Sequence, residues 1–283
     1  MVRPLAFGMM AALLFTLPRP TAAAPASTEA DTLVSTGWLH QHLDDPHVRV
    51  IFIGEREHYD RGHIPGARRL DHMDTVGDGH RLLPVSTLRT VLARAGAADD
   101  ARVILYGDRP MEIGWVYMAL ATVGRGDAAS LLDGNIDRWQ ADGYAVSTAA
   151  VPPASSSFTV GPATDVAVDA AWVKSHLTSP AVRLLDVRTT DEWNDGHLPG
   201  ATLVLWQDLL ADPRTQAFKS RDELRALFER AGVKPGQQIV TYCAVGLRAS
   251  LMYWAALTAG LPARVYVGSF QDWRQDRSNP IVR

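Results

Sequence analysis

The chain is poor in cysteine, in clusters of basic residues and in long apolar runs. Its 283 residues include one cysteine, so no disulfide can form within the chain. The best candidate for a membrane span, residues 5–17, is shorter than the roughly 20 residues that a spanning helix needs. A formal net charge of −3 without runs of Lys and Arg argues against nucleic acid as a partner.

The amino-terminal residues have the pattern of an export signal. Arg3 gives a positive start, residues 5–17 supply an apolar core, and small residues precede cleavage sites after Ala24 or Ala26. We therefore expect residues 1–24 to be a signal peptide and the protein to be exported, in a bacterium to the periplasm. After signal removal we expect no contact with the membrane. Loss of two arginines and no acid makes the formal charge of the mature chain two units more negative.

The single cysteine, Cys243, lies in a predicted strand-to-helix loop. Residues 239–242 are β-branched and aromatic, as in a buried strand, and residues 249–261 have the composition of a packed helix. In such a loop, backbone N–H groups and the positive end of a helix dipole converge and favour a thiolate. Gly246 supplies backbone freedom and Arg248 a positive charge. We predict an activated nucleophile rather than an inert buried thiol.

The sequence repeats itself in a single register, which indicates a tandem duplication. GHIPGA at residues 62–67 recurs as GHLPGA at residues 196–201, and Trp38 recurs as Trp172. Two further pairs in the same register are Gly134 with Gly268 and Trp139 with Trp273.

Strand and helix patterns alternate within each copy, which predicts an α/β fold. We expect two tandem domains, each a mostly parallel sheet flanked by helices on both faces, at residues 31–146 and 166–283. The Pro-, Ala- and Ser-rich residues 147–165 are the predicted linker. Ligands bind at the carboxyl ends of strands in such sheets, and Cys243 falls at one of these ends. In the second copy the predicted strands are residues 183–187, 239–242 and 263–267, and the predicted helices are residues 220–231 and 249–261, with a turn or helix at 191–195.

The two copies differ chemically. The counterpart of the cysteine loop in the first copy, residues 106–111, has no cysteine, and Asp186 and Arg188 align with Phe52 and Gly54. We therefore expect the first copy to be structural and to form one wall of the cleft.

Three motifs, in order, resemble those of the rhodanese (sulfurtransferase) family in its two-domain form. The resemblance covers residues 31–283 and implies an inactive first domain, an active second domain and a catalytic cleft between them. The motifs are DVR at 186–188 with EW at 192–193 and GHLPGA at 196–201, CAVGLR at 243–248, and GSFQDW at 268–273.

The resemblance implies a two-step sulfur transfer that needs no metal or organic cofactor. The Cys243 thiolate would take the outer sulfur of a donor such as thiosulfate, and the resulting persulfide would pass it to cyanide or a thiol. Since there is no second cysteine to resolve the persulfide, an external acceptor is required. The residues implied to bind the sulfur are Arg248 and the loop residues Ala244, Val245, Gly246 and Leu247.

Alternatives remain for the donor and for the class of protein. Ala244 and Val245 match neither the basic residues common in thiosulfate-preferring relatives nor the Gly/Ser pattern of mercaptopyruvate-preferring ones; thiosulfate is favoured, with 3-mercaptopyruvate as the second choice. A non-catalytic persulfide carrier or binding module, acting with a partner protein, is another hypothesis. A phosphatase is disfavoured, because only four residues separate Cys243 from Arg248 instead of five. The expected partners are a small-molecule donor and acceptor, and the expected state is a monomer.

Other candidate residues have both structural and functional explanations. Arg188 either binds the donor or pairs with the aspartate two residues before it to fix the cleft wall. Trp273 packs in the core, as its recurrence suggests, or shapes the pocket. His63 and His197 recur in both copies, which favours structural hydrogen bonds over catalysis. The irregularly spaced acids and histidines of residues 71–80 are typical of a solvated loop rather than a metal site.

Overall fold

The computed structural model describes residues 32–153, 157–162 and 164–283. The predicted signal peptide, residues 1–24, lies outside these ranges. Within them, no helix is long and apolar enough to cross a membrane. The two sequence copies form two α/β domains of the same architecture, as the duplication predicted.

A five-stranded parallel sheet forms the centre of the first domain. The strands are β1 (Leu33–Val34), β2 (Val48–Ile53), β3 (Arg68–Leu70), β4 (Arg102–Gly107) and β5 (Ala129–Leu132). The helices are α1 (Thr36–Gln41), α2 (Arg56–Arg61), α3 (Val85–Ala95), α4 (Pro110–Thr122) and α5 (Ile136–Ala141), with short 3-10 segments at His72–Thr75, Asp78–His80 and Gly126–Ala128. The strand order is β1-β5-β4-β2-β3.

The second domain repeats this plan and adds a two-stranded hairpin. Its strands are β6 (Ala167–Val168), β7 (Val182–Asp186), β8 (Thr202–Leu203), β9 (Leu210–Asp212), β10 (Ala217–Phe218), β11 (Gln238–Tyr242) and β12 (Ala263–Tyr266). Its helices are α6 (Ala170–His176), α7 (Thr190–Asn194), α8 (Arg221–Arg230), α9 (Leu247–Thr258) and α10 (Ser269–Trp273), with a 3-10 segment at Trp206–Leu209. The parallel sheet has the order β6-β12-β11-β7-β8, and β9 pairs with β10 in an antiparallel hairpin.

The two domains meet along helices α4 and α9. Both helices are buried on nearly all sides, and they belong to one hydrophobic cluster that includes residues of both domains. Gly114 allows the close approach, because a Cβ there would lie 2.6 Å from the backbone Cα of Leu251. The domain interface is therefore a continuation of the core rather than a polar contact.

The described part of the predicted linker, residues 147–165, packs against the first domain. Ser147 pairs with His63 through two backbone hydrogen bonds, and Phe158 is buried in the main core. The backbone N–H and hydroxyl of Thr159 both donate to the carboxylate of Asp99, at 2.8 and 3.0 Å. The described part of the segment that connects the domains is therefore bound to the first domain.

The predicted helices and strands of the second copy are all present, with shifted ends. The helix after the cysteine, α9, begins two residues earlier than expected, because Gly246 takes the left-handed conformation (φ +93°) that turns the chain directly into the helix. It ends earlier as well, since Gly260 turns the chain away at φ +73°. Helix α8 matches its prediction, because Ser220 and Glu223 form a capping box at its start.

Candidate active site

The cysteine loop folds around its own sulfur. Cys243 follows β11 directly, and its side chain is 1% exposed. The backbone N–H of Gly246 donates to Sγ at 3.1 Å. A side chain at Gly246 would be strained by its positive φ and would lie 2.7 Å from the backbone oxygen of Val267. The loop thus turns an amide, and the amino end of α9 behind it, towards the thiol.

Arg248, on the first turn of α9, forms an ion pair with Glu192. Its two terminal nitrogens donate to the two carboxylate oxygens of Glu192 at 2.7 and 2.8 Å. The hydrogen bonds from Arg248 lower the pKa of Glu192 to about 2, so the carboxylate is ionised at neutral pH. The same pair raises the pKa of Arg248, and the nearby Cys243 acts in the same direction. The guanidinium is therefore a fixed cation beside the sulfur, held in a bidentate ion pair.

Glu192 is positioned by its own helix. It is the third residue of α7, where its side chain accepts from the backbone N–H of Thr189 at 3.0 Å and closes a capping box. One carboxylate therefore both starts a helix and orients Arg248. Glu192 belongs to one of the motifs recognised in the sequence, but its pairing with Arg248 was not predicted. The capping pattern could have been detected, but the partner 56 residues away could not.

Asp186 and Arg188 form a buried ion pair at the carboxyl end of β7. Asp186 is fully buried and Arg188 is 3% exposed, and Nη2 donates to Oδ2 at 2.6 Å. Arg188 also donates to the backbone oxygen of Gly196 at 2.7 Å and lies over the ring of Phe270, with its central carbon 4.0 Å from the ring centre. Burial alone would lower the pKa of Arg188, but the ion pair outweighs it and the pKa is raised. Arg188 therefore forms the ion pair with Asp186 that was one of its two expected roles.

A small pocket of about 270 Å³ opens beside the cysteine loop. Arg188 lines this pocket as well as making its ion pair, so a donor-binding role is compatible with the structural one. The other lining residues are Glu192, Asp195, Ala244, Phe270, Gln271 and Arg274. A larger cavity of about 770 Å³ lies between the domains at the carboxyl ends of α4 and α9 and contains none of the predicted site residues.

Of the nine predicted site residues, Arg188 and Ala244 line this pocket and the other seven do not. Val245 is half-buried in the loop, and Leu247 packs against the main core. Trp273 is fully buried in the second domain's own cluster, and its indole N–H donates to the backbone oxygen of Pro280 at 3.0 Å. Trp273 therefore packs the core, which was the first of its two explanations, and does not line the pocket.

The recurring histidines make the backbone hydrogen bonds that their repetition suggested. Nδ1 of His63 is 2.9 Å from the backbone oxygen of Tyr59, and Nδ1 of His197 is 3.2 Å from that of Trp193. Each imidazole also stacks on the aromatic ring four residues before it. These contacts fix the turn after a helix in both domains.

Ser269 supports the nucleophile from the neighbouring strand end. Its hydroxyl accepts from the backbone N–H of Cys243 at 3.1 Å and donates to the backbone oxygen of Tyr266 at 2.8 Å. The residue is fully buried and has φ +55°, which a serine adopts only at a cost of roughly 1–3 kcal/mol. Its counterpart Asn135 has an ordinary extended backbone. No sequence signal identified Ser269, because the strain lies in one copy alone.

The first domain fills its own equivalent site. The Asp108 side chain accepts from the backbone N–H of Glu55 at 3.2 Å and pairs with His58 at 2.8 Å. It also occupies the space beside Gly54, since a Cβ on that glycine would lie 2.2 Å from the Asp108 carboxylate. An aspartate therefore takes the volume that the Arg188 side chain would need. The first domain instead contributes a wall to the site of the second domain. This wall is α4, whose Trp115 ring lies close to Gly246.

Within the described ranges, no group of three or more His, Cys, Asp or Glu side chains could hold a metal ion. Among residues 71–80, His72 lies 3.6 Å from carboxylate oxygens of both Asp71 and Glu112, in a small ion-pair group.

Comparison with known proteins gives one consistent result. The model of the rhodanese-like domain matches residues 35–142 and 169–276. The sulfur carrier protein TtuD of Thermus thermophilus is 29% identical, over 89% of this chain and 97% of that protein. A Mycobacterium leprae protein named provisionally as the thiosulfate sulfurtransferase SseA is 28% identical, over 94% of this chain and 97% of that protein.

Solved structures agree on the architecture. SseA from Escherichia coli, described with the 3-mercaptopyruvate sulfotransferases, has a TM-score of 0.73 and 25% identity, covering 84% of this chain and 98% of that one. Wild-type EanB has a TM-score of 0.79 at 21% identity, covering 89% of this chain and 69% of that one, which is a likeness of fold.

Proposed function

Because this chain belongs to the rhodanese-like family and is a sulfurtransferase with two tandem domains, we propose that it moves a sulfane sulfur from thiosulfate through a persulfide on Cys243 to cyanide or a thiol. The observation that carries this proposal is the cysteine loop. It presents one buried sulfur to the Gly246 amide and to a cation fixed by Glu192.

In the first step the Cys243 thiolate attacks the outer sulfur of thiosulfate. A new S–S bond forms to Cys243, the S–S bond of the donor breaks, and sulfite leaves with the electron pair. The persulfide anion then lies at the amino end of α9, where the loop amides and Arg248 stabilise its charge. In the second step the acceptor attacks the terminal sulfur and restores the thiolate.

The anionic part of the donor fits the pocket beside the loop. Arg188 and Arg274 both line it, and Arg188 is held in place by Asp186 and Phe270. A guanidinium already fixed by its own contacts loses little freedom when it binds an oxyanion. 3-Mercaptopyruvate, whose carboxylate could use the same arginines, is the alternative donor, and the structural likeness to SseA from Escherichia coli supports keeping it.

A persulfide carrier is the second candidate function. The name of the Thermus thermophilus relative, a sulfur carrier protein, favours it. So does the burial of Cys243, which would protect a persulfide until a partner protein arrives. The two functions share the first step and differ only in the acceptor. A phosphatase is not retained, since the family comparisons point to sulfur transfer.

We also propose an exported, monomeric protein. The pattern of residues 1–24 supports export, with the periplasm as destination in a bacterium. The apolar interface between the domains supports a monomer, because each copy already covers the other. Amino-terminal sequencing of protein from a periplasmic fraction should begin after Ala24 or Ala26, and light scattering should give the mass of one chain.

The test of the catalytic proposal is thiocyanate formation from cyanide, with thiosulfate and with 3-mercaptopyruvate in parallel. Wild-type protein should turn over, and Cys243→Ser should not, while both show the same circular dichroism. The ratio of the two rates assigns the donor. If folded, reduced wild-type protein forms a persulfide, seen as a gain of one sulfur by mass spectrometry, but releases no thiocyanate, the carrier function replaces free catalysis.

A further inference from the structure

The burial of Cys243 limits which acceptors can reach it. The side chain is 1% exposed, and the pocket beside the loop is lined by Ala244 and not by Cys243 itself. A small anion such as cyanide could use this pocket. A thiol carried on a larger molecule could reach the sulfur only if a segment of the protein moved, and the segment held by the fewest contacts is the one that moves most easily.

Two equivalent hairpins reach across the domain interface. The hairpin formed by β9 and β10 extends from the second domain over the inactive loop of the first. Residues 77–81, here named the flap, are its counterpart in the first domain. The equivalence is visible in matched hydrogen bonds, since Lys219 N–H donates to the Leu209 oxygen and Leu83 N–H to the Thr75 oxygen. It is also visible in matched left-handed residues at the tips, Gln216 (φ +54°) and His80 (φ +53°).

The β9–β10 hairpin is firmly tied to the inactive loop. The Gln216 side chain donates to the backbone oxygen of Asp108 at 2.7 Å. Asn135 holds the tip through two bonds, from its backbone N–H to the Thr215 oxygen at 2.9 Å and from its side-chain amide to the Arg214 oxygen at 3.2 Å. These three hydrogen bonds close the inactive side.

The flap, on the side of the active loop, lacks the equivalents of these three hydrogen bonds. The counterpart of Asn135 is Ser269, whose hydroxyl is turned inward to the backbone of Cys243 and Tyr266. In the described part of the chain, the flap makes one hydrogen bond to the second domain, from Arg81 Nη2 to Asp272 Oδ1 at 3.3 Å. Residues 78–81 are exposed, and the Arg81 side chain is 57% exposed.

The Arg81–Asp272 ion pair joins the flap to the helix that contacts the cysteine loop. Asp272 is on α10, whose first turn donates backbone N–H groups of Phe270 and Gln271 to the carbonyl oxygens of Cys243 and Ala244. The base of the flap is fixed, since Val76 and Leu82 pair with each other and pack against the core. The tip alone is therefore free to swing, and Gly79 (φ +63°) lies within it.

We propose that the flap is a specificity-determining element of the first domain, latched by the Arg81–Asp272 ion pair, that admits bulky thiol acceptors to the Cys243 persulfide when it opens. The inference rests on the proposed function for its acceptor, but the motion itself can be measured without turnover. It also gives the first domain a role in selecting the acceptor, beyond supporting the cleft.

The test uses the single thiol as its own probe. Cys243 is alkylated with N-ethylmaleimide and, separately, with a maleimide joined to a polyethylene glycol chain, so that the reacting group is the same and the size differs. The variants are Arg81→Gln, Arg81→Lys as the conservative replacement, and Arg94→Gln as a control that removes an exposed arginine from α3 in the same domain.

Loss of an exposed ion pair should raise the open population about 1.5- to 5-fold. The rate with the polymer reagent, divided by that with the small one, should rise by this factor in Arg81→Gln and stay at the wild-type value in Arg81→Lys and Arg94→Gln. Salt at 1 M should reproduce the rise in wild-type protein and add nothing to Arg81→Gln. An unchanged ratio in Arg81→Gln would contradict the proposal that the flap, latched by the Arg81–Asp272 ion pair, controls access to Cys243. Absent thiocyanate formation would instead contradict the proposed function and leave this measurement valid.

Discussion

Glu192→Gln separates the two tasks of one carboxylate. Glutamine can still complete the capping box of α7, because its side-chain oxygen can accept from the Thr189 N–H. It cannot form the bidentate ion pair with Arg248, in which both N–O distances are below 3 Å. Glu223 is a matched control, since it closes the capping box of α8 with Ser220 and, among the residues that the structure describes, forms no ion pair with an arginine.

The expected loss follows from the strength of the pair. Hydrogen bonds between charged groups contribute about 1.5–3 kcal/mol, and because the Glu192 side chain is 34% exposed we take about 1–2 kcal/mol. If this energy fixes Arg248 in its catalytic position, the rate constant for persulfide formation should fall about 5- to 30-fold. The KM for thiosulfate should not rise, because loss of a negative charge makes the site more attractive to a dianion.

The assay is single-turnover release of sulfite from thiosulfate, with thermal unfolding measured on the same samples. Glu223→Gln should stay within about twofold of wild type. If Glu192→Gln forms the persulfide as fast as Glu223→Gln, with both folded, the ion pair does not position Arg248 for catalysis. If KM rises while the rate constant at saturation is unchanged, the pair acts in donor binding instead.

Three further outcomes are expected. Gly246→Ala should be destabilised by about 1–3 kcal/mol and lose most turnover, because φ is +93° there; urea unfolding and the thiocyanate assay check this. Arg188→Met should cost about 3–5 kcal/mol in the same unfolding assay, because it leaves the buried Asp186 without a counter-ion, and Asp186→Asn in the same chain should recover part of this. The pair of Glu192 with Arg248 should stabilise the fold fully above about pH 4.5 and lose this effect as pH falls towards about 2, since the folded pKa is the lowered one; the stability difference between wild type and Arg248→Met, followed by urea unfolding across that range, should shrink accordingly.

The architecture could be predicted because its signals are local or repeated. GHIPGA and GHLPGA mark the same turn in both copies, where His63 and His197 bond to the backbone four residues earlier. Alternating strand and helix patterns then determine a parallel sheet, and the position of Cys243 at the end of a strand follows from it. The nucleophile and its loop needed no long-range information.

The rest of the site depends on contacts between distant residues. The pairing of Arg248 with Glu192 requires α7 and α9 to be adjacent in space, which no spacing in the chain reveals. Ser269 would be expected to resemble Asn135, its counterpart, yet Ser269 has a left-handed backbone and Asn135 an extended one. The role of the tightly bound segment at 157–159 was missed as well, since its composition is that of a linker.

Because α4 and α9 are in close contact, the stability of each half of the molecule depends on the other half. Both helices are apolar on nearly every side, so either half made alone would expose a helix that has no polar face to present to water. Gly114 leaves so little room beside Leu251 that a larger residue at either position would need compensation in the other half. We therefore expect the two halves to fold and to vary as one unit, with the half that lacks a nucleophile covering an apolar face of the half that carries it.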